Sequence, residues 1–113
     1  DSHNIIAVGT SDQHLCAAVN AVIDQQGGIA LAGADQLHVV PLAVAGIMST
    51  EDGVSVAADY ARIDQLAKQV LGSDLSAPFM TLSFMALLVI PALKLSDQGL
   101  FDSQRFRFVQ SQA

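Results

Sequence analysis

The 113 residues carry five Lys and Arg against eleven Asp and Glu, and the resulting charge of -6 opposes binding to nucleic acid or anionic lipid. A chain of this length is expected to form one domain, residues 1–113, around a single core. Although 51% of the residues are apolar and 14% charged, the uncharged stretch 75–93 holds Pro78, Pro91, Thr81 and Ser83 without basic flanks, so no membrane span is expected.

Residue 1 is Asp rather than Met, and the apolar run Ile5, Ile6, Ala7, Val8 follows almost at once, which points to a piece of a larger protein opening on a strand. Gly9 ends that run, and Thr10, Ser11 and Asp12 supply three candidate helix caps. Leu15, Ala18, Val19, Val22 and Ile23 then fall on one helical face, which Gly27 and Gly28 bring to a stop. Cys16 and His14 lie in this helix; Cys16 is read as inert core and His14 as a surface residue.

Residues 29–32 and 37–42 are two strand-forming runs joined by Gly33, Ala34, Asp35 and Gln36, the pattern of an antiparallel hairpin. Pro41 donates no hydrogen bond, so the second strand ends there or lies at an edge. Residues 43–48 are apolar without a clear period. Ser49, Thr50, Glu51 and Asp52 then open a second helix whose buried face is marked by Val56, Tyr60, Ile63, Ala67 and Val70, with Lys68 in its last turn and Gly72 closing it.

Periodicity leaves residues 78–90 open between helix and strand. Leu93 and Leu95 alternate with Lys94 and Ser96, a turn is signalled at Asp97, Gln98 and Gly99, and Phe106 and Phe108 alternate with Arg105 and Arg107, so the remainder reads as one or two amphipathic strands. The assembled expectation is an α+β domain of two layers, a mainly antiparallel sheet with two or three helices packed on it and a right-handed first crossover.

Residues able to carry chemistry are few. His3, His14 and His38 are scattered, with no Cys pair and no metal-ligand spacing, so a metal site would have to assemble from distant residues such as His3 and a carboxylate. Asp1, Ser2, His3 and Asn4 hold the residue types of a hydrolytic triad, but neighbours along an extended segment point in alternate directions and cannot converge. They form instead a polar quartet that could face a ligand or another domain. The turn at Val8, Gly9, Thr10 and Ser11 has free amides, yet Asp12 repels an anion and the turn is read as a cap. Phe79, Met80, Thr81, Leu82, Ser83, Phe84 and Met85 suit either core or an interdomain surface. A single cysteine makes no internal disulfide, which with the lack of an apolar leader fits a reducing, cytoplasmic setting.

Five segments in order, 1–5, 27–29, 45–49, 78–84 and 90–102, resemble the C-terminal domain of bacterial adenine deaminases of the amidohydrolase superfamily, with Leu88 standing where that pattern has Pro. The resemblance implies a parent enzyme that hydrolyses adenine to hypoxanthine and ammonia in an upstream (β/α)8 barrel that uses manganese or iron. It implies no metal ligand and no catalytic residue in this chain. The expected role is accessory: Asp1, Ser2, His3 and Asn4, with Met80, Thr81 and Ser83, would face the barrel, in a homo-oligomer. The competing expectation is a free-standing small-molecule-binding or oligomerisation module.

Overall fold

A computed structural model describes residues 4–33 and 35–109. The first helix, α1 (Asp12–Asp24), starts because Ser11 takes extended backbone angles and its hydroxyl accepts the N–H of His14 at 3.2 Å. Of the three candidate caps, Ser11 fills the role. The helix ends at Asp24, ahead of the glycines: Gln26 adopts φ +57°, and Gly27 N–H reaches back to Val22 C=O at 2.9 Å, satisfying a terminal carbonyl.

Gly27 and Gly28 serve a different need. Both have positive φ, and Gly28 donates to Gly46 C=O at 3.1 Å where the chain crosses the turn at 44–48. That turn is closed by a bridge between Val44 and Met48, with Ala45 and Gly46 both at positive φ.

The expected hairpin forms as β1 (Ile29–Gly33) and β2 (Gln36–Val40), paired antiparallel from Ile29 opposite Val40 to Gly33 opposite Gln36. The second strand stops immediately before Pro41, where the next ladder donor would be missing. Alternation sends Leu31 and Val40 to one face and Leu37 and Val39 to the other.

The first face meets α2 (Gly53–Gln69), and Leu31, Val40, Ile63 and Ala67 form the buried cluster with Ile29, Leu66 and Phe79 packed around it. Leu37 and Val39 instead border a hollow against Ala17 and Ala21 of α1. The hairpin is thus held between the two helices. Ala21 is the buried residue of α1, so the packed arc is centred on small side chains that allow close approach, and Cys16 and Ile23 lie on the far side, exposed. Cys16 is therefore not core, contrary to the expectation from its apolar neighbours.

Asp52 caps α2, accepting the N–H groups of Val54 and Ser55 at 3.0 and 3.1 Å. Ile63 and Ala67 are buried and Val56 and Tyr60 half-buried as expected, whereas Val70 has left the helical face and is exposed. Lys68 in the last turn pairs with Asp64 and donates to Ser76 C=O at 2.7 Å, which ties the following loop to the helix.

The segment that periodicity left open contains α3 (Pro78–Met85), with Pro78 in the first turn where its missing N–H costs nothing. Its link to α2 is an edge-to-face contact of Tyr60 with Phe79, ring centroids 6.4 Å apart. The remaining strands are β3 (Leu93–Ser96), β4 (Gly99–Asp102) and β5 (Arg107–Phe108), an antiparallel sheet in that order. Asp97 and Gln98 form the expected turn, and Gly99 follows at φ +119°. Phe106 lies in the preceding turn rather than in β5; it and Phe108 enclose Phe101 edge-on at 5.4 and 5.2 Å.

The class is α+β, with three helices and antiparallel strands among the described residues. The strands divide between two sheets instead of joining one: among the described residues no ladder links an edge of the hairpin to β3, β4 or β5. The expected strand at residues 5–8 does not form: no described residue offers it a ladder, and without it there is no strand–helix–strand crossover to have a hand.

Candidate functional site

Asn4, Ile5 and Ile6 line a groove of about 380 Å³ together with Ala86, Leu95, Ser96 and Asp97. Of the expected site residues, Asp1, Ser2 and His3 lie outside the described residues. Asn4 is exposed at the rim.

Met80, Thr81 and Ser83 do not line this groove. Thr81 Oγ1 donates to Ala77 C=O at 2.8 Å and Ser83 Oγ to Met80 C=O at 2.7 Å, so both hydroxyls are engaged by the backbone of their own helix. Met80 is half exposed. The structure therefore does not gather Asn4 and these three residues into one pocket.

Among the described residues no group of three His, Cys, Asp or Glu side chains could hold a metal ion, so they do not fit the manganese or iron that the resemblance implies for the parent enzyme. His14 Nδ1 lies 2.9 Å from Ser11 Oγ, and His38 Nε2 lies 3.2 Å from Gln36 Oε1. Each is accounted for by a neighbour on its own element. Among the described residues no helix is long and apolar enough to cross a membrane.

The unusual surface is apolar. α3 presents Phe79, Met80, Leu82, Phe84 and Met85 around its circumference and buries none of them completely. A helix without a polar side normally lies inside a protein. In β3 the polarity is reversed: Lys94 is 9% exposed, while Leu93 and Leu95 are 52% and 77% exposed. Lys94 Nζ donates to Pro91 C=O at 3.2 Å, so its charge is met by a carbonyl. Alternation of Leu93 and Leu95 with Lys94 and Ser96 was legible in the sequence; that the leucines face outward was not.

Comparison with known proteins agrees with the resemblance seen in the sequence. The family described as the adenine deaminase C-terminal domain matches residues 1–107. A protein named adenine deaminase from Sulfurovum sp. is 55% identical over 98% of this chain, and one of the same name from Methanosarcina barkeri is 54% identical over 97%. An adenine deaminase from Archaeoglobus fulgidus is 49% identical over all 113 residues. No solved structure matches the chain. The chain spans 20–21% of the length of these relatives.

Proposed function

The chain belongs to the adenine deaminase C-terminal domain family, and from that premise we propose that it is the accessory domain of an enzyme hydrolysing adenine to hypoxanthine and ammonia. The reaction breaks the bond between the ring carbon and the exocyclic nitrogen, adds the elements of water and releases ammonia. It calls for an activated water and groups that move protons, and these belong to the rest of the polypeptide, a barrel that would hold manganese or iron. The fragment alone is inactive in this reading. The enzyme acts in purine salvage in the cytoplasm, as a homo-oligomer.

The observation that carries the accessory role is the balance of apolar surface. Among the described residues the buried apolar core consists of Ala21, Leu31, Val40, Ile63, Ala67 and Phe101, while 21 large apolar side chains are exposed. Among them Met80, Phe84 and Met85 of α3 and Leu93, Leu95 and Leu100 of the last sheet are surface of the kind that another body covers. The domain supports the barrel by offering that surface. In this reading Asp1, Ser2, His3 and Asn4 turn toward the mouth of the active site in the barrel, and Met80, Thr81 and Ser83 form a separate part of the domain boundary.

The test is made in the full-length polypeptide. His3→Ala combined with Asn4→Ala should lower adenine turnover by about tenfold while leaving the thermal midpoint unchanged, as expected for polar groups that orient rather than support. Turnover and midpoint both equal to those of the parent would remove the polar quartet from the active site.

A further inference from the structure

In the three-stranded sheet, register places Leu95 directly opposite Leu100, with Leu93 two residues along the same face. The other face carries Lys94, Phe101 and Phe108 and is the one turned inward at Lys94 and Phe101. A solvated strand normally shows its lysine to water and its leucines to the core; here both are reversed. Reversal of this kind fits a sheet whose leucine face is itself an interior.

The open edge of β3 adds a second, independent requirement. Ser103 N–H donates to Ala92 C=O at 3.0 Å, so the hydrogen-bonded pairs in this hairpin fall at Ala92, Lys94 and Ser96. The main-chain groups of Leu93 and Leu95 consequently point away from β4. Val109 N–H donates to Leu100 C=O at 2.8 Å, confirming the same phase on the opposite strand. No strand among the described residues pairs with that edge of β3. Leu95 and Ser96 of β3 also line the groove that Ile5 and Ile6 line.

We infer that an extended, apolar segment from the remaining polypeptide of the parent protein lies along β3, pairs with the main chain at Leu95 and covers Leu93, Leu95 and Leu100. The inference rests on the accessory-domain reading and names where the covering occurs. Strand addition at an exposed edge supplies main-chain hydrogen bonds, and alternate side chains of the added segment reach the leucine face. A tethered segment reaches the edge at an effective concentration on the order of millimolar. The chain spans only 20–21% of the relatives it matches, so most of such a polypeptide lies outside these residues and is tethered to them.

The experiment uses the full-length polypeptide with Cys16→Ser as background, in which Leu95→Cys and, as an exposed control, Val54→Cys are alkylated under native conditions and read by peptide mass mapping. Val54 is 81% exposed at the start of α2. Cysteine at position 95 is expected to react about 100-fold more slowly than at position 54, independently of protein concentration, and the Leu95 amide to exchange slowly in the unsubstituted protein. Equal alkylation rates would mean a bare face and overturn the inference, and protection lost on dilution would assign the face to a second copy and overturn it as well. Adenine turnover separates this from the parent reading: a bare face in a polypeptide that loses turnover when residues 4–109 are deleted sinks only the strand addition. A protected face in a polypeptide without turnover sinks the deaminase reading and leaves the strand addition standing.

Discussion

A Cβ placed on Gly27 would stand 2.1 Å from the Cα of Gly46, so the two glycines let one turn cross another at backbone contact. The clash is with main chain on both sides, and Gly27 sits at φ +133°, a region that side chains rarely enter. Gly27→Ala should therefore destabilise the fold by roughly 3 kcal/mol or more, through overpacking and backbone strain together. Gly53→Ala is the control: nothing lies within 4 Å of a Cβ there, and the residue opens a helix, so stability should hold or rise by up to about 1 kcal/mol. Denaturant midpoints of the two variants check both statements.

Ile63 is 1% exposed and is the largest fully buried side chain, at the point where α2 meets Leu31 and Val40 of the hairpin. Truncating it removes transferred apolar surface and leaves a cavity between elements with little freedom to close. Ile63→Ala should cost about 3 kcal/mol. Val54→Ala, at an exposed position on the same helix, should stay within about 0.5 kcal/mol. Equal costs would show that the hairpin–helix cluster is not the organising core.

Hydrogen bonds from the Ser55 hydroxyl, and then from the Ser55 amide, hold the Asp52 carboxyl below its ordinary pKa of 3.8. Because the folded state favours the charged form, the cap contributes its stability above that ordinary value, and the contribution is lost as pH falls through the lower folded pKa. Asp52→Ala should lower the thermal midpoint near neutral pH and have a smaller effect in strong acid. Asp52→Asn, which caps without a charge, should retain most of the midpoint and lose that part of the acid dependence.

Cys16 faces away from the alanine-lined contact of α1 with the hairpin. A thiol reagent should label it to completion in the native domain, at the rate seen after denaturation to within about tenfold. Slow, partial labelling would place this side of α1 under cover.

Much of the fold was legible because local rules and packing agree. Asp52 caps α2 and Ile63 and Ala67 fill its inner face, as capping chemistry and a 3.6-residue period require. The hairpin register and the halt at Pro41 follow from ladder chemistry alone. Local pattern presents Gly27 and Gly28 as a helix stop, but Gln26 takes the left-handed turn and the two glycines meet Gly46, 19 and 18 residues further along, which no local pattern announces. Alternation assigns Leu93 and Leu95 to one face without saying which face meets the core. Residues 5–8 have strand-forming side chains, yet strand is a property of pairs, and the described residues hold no partner for them. Of the candidate site, Asn4 emerges on a groove, whereas Thr81 and Ser83 bond to their own helix, a choice open to any hydroxyl one turn from a carbonyl.

Whether this chain serves a deaminase without containing its chemistry is decided by ammonia release from adenine in the presence of manganese. The full-length polypeptide, the polypeptide lacking this domain and the 113-residue chain are compared at equal concentration. Enzymatic turnover is expected of the full-length protein, with a large loss on removing the domain and no release above the uncatalysed rate by the chain alone. Release at an enzymatic rate by the isolated chain would contradict the accessory role.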